Sequence, residues 1–137
     1  MIDRLEEHAR FHRLYPHLFV RKVALECGAG WYPLLDELFI VLERCIVEGM
    51  EDGQWQERMQ EGHAYPWPYA LQIKEKFGGL RVHVSQWNAP MRAAIELAKD
   101  RADVTCDQCG EPGSLRTLGG YMCTRCDLHA ERRGWSP

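Results

Sequence analysis

The chain has no apolar run long enough to cross a bilayer. The longest, Leu38–Leu42, falls far short of the roughly 20 residues a spanning helix needs. It has no leader-like start, because Met1–His8 mixes both charge signs, so no signal peptide is expected. It has no basic excess either: 17 Lys+Arg stand against 20 Asp+Glu, a net charge of −3. That argues against a protein that binds nucleic acid mainly by neutralising phosphates. Nor is a basic end hidden behind the total, since residues 101–137 carry five bases and five acids. No internal repeat or low-complexity segment is visible. Gly28-Ala29-Gly30 precedes a helix-like stretch but lacks the third glycine and the Lys-Ser/Thr of phosphate loops, which argues against a nucleotide site.

What is present is a globular composition, 45% hydrophobic and 27% charged over 137 residues, enough for one compact domain with a small appendage. The six cysteines, four of them in metal spacing, fit a reducing compartment, so a cytoplasmic location is expected. Those four are Cys106-Asp-Gln-Cys109 and Cys123-Thr-Arg-Cys126, with 13 residues between the pairs. Two thiolates two residues apart can hold one side of a tetrahedral Zn²⁺, and a second pair can close it. The gap is slightly shorter than usual for this pattern. Pro112-Gly113 and Gly119-Gly120 mark turns of a small hairpin between the pairs. The reading is a zinc ribbon over residues 104–129, ligated by Cys106, Cys109, Cys123 and Cys126. Two disulfides or free thiols, or a different metal, are the alternatives.

The rest of the chain reads as α+β. Residues 3–13 suggest a weak amphipathic helix with Leu5, Ala9 and His12 on one face. Phe19–Cys27 reads as a strand stopped by glycines. Pro33 opens a helix over residues 33–48, with Leu34, Leu35, Leu38, Val41, Leu42, Cys45 and Ile46 as its apolar stripe. Gly49 is its expected stop. Residues 49–67 read as a long loop whose aromatics pin it to the core. Residues 71–86 alternate about Gly78-Gly79, a hairpin signal. A turn on those glycines sets Phe77 opposite Leu80, Glu75 opposite Val82 and Ile73 opposite Val84 on the buried side. A helix over 69–77 capped by Gly78 is the competing reading. Asn88-Ala89-Pro90 caps a helix to about Arg101. The expected organisation is an antiparallel sheet with covering helices over residues 1–103, and a zinc ribbon over 104–137 docked on that core.

Three motifs stand together: Glu26-Cys27-Gly28-Ala29-Gly30-Trp31, Lys74-Glu-Lys-Phe-Gly-Gly-Leu-Arg81, and the cysteine-rich end closing on Cys126-Asp-Leu-His129. In these the chain resembles a loose family of small uncharacterised bacterial, prophage and phage proteins, over roughly residues 19–130. The resemblance implies a phage-associated accessory protein, for which a host-directed or anti-defence role is the natural expectation. It also implies a second ligand set, because members often end in C-x2-H. His129 then stands as an alternative ligand, with Cys126 and His129 completing the site in place of Cys123 and Cys126.

Three functions follow as expectations. The first is a non-enzymatic, zinc-stabilised binding protein. Lys74, Lys76, Arg81 and His83 gather on the polar face of the hairpin, where like charges opposite one another are mildly unfavourable. A protein partner with an acidic surface would offset that; a solvated face with glutamate neighbours is the plainer account. The second is a nucleic-acid-binding ribbon using Arg116, Arg125, Arg132 and Arg133 with Tyr121 and Trp135. The third is a thiol enzyme in which Cys27, before a helix start that would lower its pKa, uses His83 as base. A small buried residue at a tight turn explains Cys27 more simply. Glu26 and Glu75 read as partners of nearby cations and not as catalytic acids.

Overall fold

Tyr32–Glu51 forms the longest helix, α2, and the other elements pack around it. Pro33 stands in its first turn, where an absent N–H leaves nothing unpaired. Leu34, Leu35, Leu38, Leu42 and Ile46 are buried along one side, as spacing of three and four requires. The helix runs through Gly49 and does not stop there. A Cβ at Gly49 would stand 2.2 Å from the indole nitrogen of Trp55, which donates to the Ile46 carbonyl at 2.9 Å. The glycine is a seat for a folded-back indole. The computed structural model describes residues 4–55 and 65–131, so the middle of the expected 49–67 loop, residues 56–64, lies outside the described residues.

Helix α1 (Arg4–Leu14) presents a different face from the expected one. Phe11 is buried, as is Tyr15 just past the helix end, while Leu5 is 80% exposed. Phe11 meets Phe39 of α2 edge-on at 5.2 Å, and Phe19 meets the same ring at 4.8 Å. Such pairs add about 0.5–1.5 kcal/mol each beyond burial. The Tyr15 hydroxyl donates to the Asp36 carboxylate, which also pairs with Arg10 at 3.2 Å. This cluster explains why the strand expected over residues 19–27 shrinks to β1 (Leu25–Glu26). Phe19 is spent on the aromatic cluster, and the backbone turns there before extending.

The main sheet has the order β1-β2-β3, with β2 Ala70–Lys76 and β3 Gly79–Val84. It is mixed and not wholly antiparallel: β1 runs parallel to β2, Leu25 beside Ile73 and Glu26 beside Lys74. The 71–86 hairpin is present, but its turn is Phe77-Gly78. Ile73 pairs with Val82, Lys74 with Arg81 and Glu75 with Leu80, a slip of two residues from the expected register. A slip of two keeps every side chain on its face, so Ile73 and Leu80 stay buried and Arg81 and His83 stay exposed. It moves Phe77 out of the core into the turn, 65% exposed. The cause is tertiary. The Gly78 carbonyl accepts from the buried Thr124 hydroxyl at 2.7 Å, and its Cα lies against Leu115. The Glu75 carboxylate accepts from the Gly78 amide at 2.7 Å and closes the turn.

Both turn residues have positive φ, 55° at Phe77 and 84° at Gly78, as a type I′ turn demands. A bulky residue there costs about 1–2 kcal/mol. Phe77→Asn, which gives the Asn-Gly pair this turn favours, should therefore stabilise the protein by about 1 kcal/mol. Thermal unfolding should show a rise of a few degrees, and a fall would mean the turn is not the one described. Helix α3 (Ala89–Ala102) follows, its first turn capped by Asn88 Oδ1 accepting from the Met91 amide at 3.0 Å. It buries Met91, Ala98 and Ala102 against α2 and β3.

Candidate metal centre

Residues beyond α3 form a second sheet, β4 (Ser114–Leu118) antiparallel to β5 (Tyr121–Arg125). Gly119 and Gly120, at φ 58° and 89°, make the turn. A one-turn helix, α4 (Asp127–Glu131), follows at once. Ahead of the hairpin the chain folds into a knuckle: the Gly110 amide donates to the Cys106 carbonyl at 2.9 Å, and Gly110 sits at φ 82°. The Gln108 and Cys109 amides aim at the Cys106 sulfur, and the Glu111 amide at the Cys109 sulfur. In α4 the Ala130 amide returns to the Cys126 carbonyl at 2.9 Å, which brings His129 back over Cys126.

The result is a group of four possible ligands, Cys106, Cys109, Cys126 and His129, with ligand atoms all within 4.8 Å of one another. Cys109 Sγ lies 3.8 Å from Cys126 Sγ. His129 Nδ1 lies 3.2 Å from Cys126 Sγ and 3.7 Å from Cys106 Sγ. This group could hold a metal ion. Burial pushes the Cys106 thiol up, but the amides of Cys126, Cys109 and Gln108 outweigh it and leave the thiol below its ordinary value. Desolvation of its sulfur pushes the Cys109 thiol up to about 11, and the neighbouring Cys106 and Cys126 sulfurs add to this. Sulfurs crowded this way resist losing their protons together unless a cation sits among them, and a bound divalent ion reverses that preference.

Cys123, expected as a ligand from its spacing, is not in the group. It lies within β5, 6% exposed, opposite Arg116, and burial raises its thiol pKa. The reason is extension. A strand rises about 3.3 Å per residue, so a C-x2-C pair that begins in a strand cannot turn back on one ion as Cys106 and Cys109 do. His129, the alternative ligand, takes the fourth place.

The knuckle is fastened to the core by the Gly28–Trp31 turn. Gly30 donates its amide to the Asp107 carbonyl at 2.9 Å. The Trp31 indole, fully buried, donates to the Thr105 carbonyl at 2.8 Å. A Cβ at Gly28 would stand 2.0 Å from Asp107 O, and one at Gly30 2.3 Å from Cys106 O. Both glycines are needed so that two backbones can touch. In the sequence this turn and the cysteines stand as separate motifs, 75 residues or more apart. The only signal of their union was a pair of glycines with no phosphate-loop residues to explain them.

The other candidates are placed as follows. Cys27 is buried beside β1 while His83 is exposed on β3, and β2 lies between those strands. Two strand spacings put them roughly 10 Å apart or more, beyond hydrogen-bonding reach. Of the cationic cluster, Arg81 and His83 lie on β3, Lys74 stands between Glu26 and Arg81 in the sheet, and Lys76 reaches over the Phe77 ring at 5.6 Å. Arg116 is held by Asp127 at 2.7 Å and Arg125 by Asp107 at 3.2 Å. Arg132, Arg133 and Trp135 lie outside the described residues. Among the described residues no helix is long and apolar enough to cross a membrane. Compared with protein-family models, curated proteins and solved structures, the chain matches none.

Proposed function

We propose that this is a non-enzymatic binding protein stabilised by one Zn²⁺, acting through contact with another protein. The observation that carries the reading is the spacing within the Cys106, Cys109, Cys126 and His129 group. A zinc tetrahedron with bonds of about 2.3 Å to sulfur and about 2.0 Å to nitrogen has S···S edges of about 3.8 Å and S···N edges of about 3.5 Å. Three of the six edges here are 3.8 Å, 3.7 Å and 3.2 Å, and all lie within 4.8 Å. Three thiolates and an imidazole suit zinc, and four protein ligands leave no open position for a substrate, which is the habit of structural sites. The ion would tie the knuckle, β5 and α4 together and so complete a small hairpin that buries little of its own. A protein partner is favoured over nucleic acid by the net charge of −3. The engagement of Arg116 and Arg125 with their own carboxylates points the same way. A host-directed role belongs to the same proposal and rests on the resemblance to phage proteins. Native mass spectrometry should find one zinc per chain. Affinity capture should recover a protein that survives nuclease treatment. Protein free of metal after expression in zinc-supplemented medium, or binding lost wholly with nuclease, would overturn the reading.

A further inference from the structure

A groove of about 440 Å³ runs between the outer edge of β3 and α3. Among the described residues β3 is the end strand of the sheet, with β2 as its only strand neighbour, and an end strand offers N–H and C=O groups to a further strand. The opposite wall is one stripe of α3, Arg92, Ile95, Glu96 and Lys99, at intervals of three, one and three. Val82 and Ile95, both partly buried, give the groove an apolar lining. At one end stand Trp87, 50% exposed, and Leu71, set outward at the bulge in β2. The rim is cationic. Glu96, its one acid, is already met by Lys99 at 3.7 Å. Among the described residues, Arg81 and Arg92 have no ion pair. An otherwise acidic chain thus concentrates unmatched positive charge around an apolar slot beside an open strand edge.

We propose that this groove takes an extended acidic segment of a partner protein, which adds as a fourth strand along β3. Its carboxylates would meet Arg81 and Arg92, and an apolar side chain would rest on Trp87. Main-chain hydrogen bonds supply affinity in such strand addition, and pockets for alternate side chains supply choice. The proposal rests on the reading of the protein as a protein-binding module and gives that reading its partner chemistry. It also narrows the expected cationic face: Arg81 and His83 belong to the groove, Lys74 and Lys76 do not.

The test is selection of a displayed pool of random decapeptides against the zinc-loaded protein, followed by amide-shift mapping with an enriched peptide. Enriched sequences should be rich in Asp and Glu with interspersed apolar residues. Shifts should centre on Val82, His83, Val84 and the Trp87 indole. The double variant Arg81→Glu with Arg92→Glu should melt at the wild-type temperature and bind at least tenfold more weakly, while Lys74→Glu should bind as the wild type does. Enriched peptides that bind the double variant equally well, or that shift another face, would overturn the groove and leave a protein-binding role standing. No enrichment, together with binding of a 12-nucleotide oligo-dT, would overturn both.

Discussion

Replacing Cys106 with serine should empty the metal centre and unfold the residues that follow α3. Structural zinc is worth an apparent 10–16 kcal/mol or so in finger peptides, as much as the whole stability of an ordinary domain, about 5–15 kcal/mol. The loss should not stay local, because Cys106 and Asp107 are packed onto Gly28 and Gly30. Cys109→Ser and His129→Ala should act in the same direction. Cys123→Ser should keep its zinc, since that sulfur lies outside the group. Metal analysis of the four variants, with amide spectra for the 104–131 region, separates the ligand sets. Should Cys123→Ser lose zinc while His129→Ala retains it, the centre is the four-thiolate one that the spacing first suggests. Should Cys106→Ser stay metal-loaded and folded, there is no such centre. Wild-type protein should also release zinc on acidification, because protons compete for the same thiolates and imidazole.

The second large effect belongs to Trp31. Its side chain is fully buried, and truncating such a residue to alanine costs about 3–5 kcal/mol. Trp31→Ala should therefore lose much of the stability of the zinc-loaded protein in urea or heat. Its indole is also a fastener, donating to the Thr105 carbonyl one residue before the first ligand. Trp31→Phe separates the two roles. It keeps most of the volume and drops the donor, for a loss of about 1 kcal/mol plus weaker zinc retention under chelator challenge. Equal chelator resistance in Trp31→Phe and wild type would show that the indole serves packing alone.

The residues that report burial by period were legible in the sequence. The stripe of α2, the cap at Asn88 and the alternation along β2 and β3 all follow from spacing, and α+β follows from them. What was not legible depended on partners distant in the chain. Gly49 reads as a stop unless Trp55 is known to fold back on it. Phe77 reads as core because it precedes two glycines, and it sits in the turn because Thr124 and Leu115 dock at Gly78. Residues 19–27 read as a longer strand than the observed Leu25–Glu26 because aromatic residues favour strands and aromatic clusters alike. In the group that could hold a metal ion, spacing points to Cys106, Cys109 and Cys126. It does not tell that the chain is still extended at Cys123, which leaves His129 as the fourth member of the group.

The contacts between Gly30 and Asp107 join positions 77 residues apart in a chain of 137. Contacts of such long range slow folding, because the intervening loop must close before they form. Synthesis runs from the N-terminus, and domains fold as their chains emerge. The glycine turn that receives the knuckle is therefore made well before the knuckle itself, and the surface waits with its Gly30 amide and Trp31 indole unpartnered. Ligands arrive late and close together, Cys106 to His129. On the zinc reading proposed above, metal capture becomes the finishing step of biogenesis, and a cell short of zinc would accumulate chains whose cores have gathered but whose receiving turn stands open to water and to other chains.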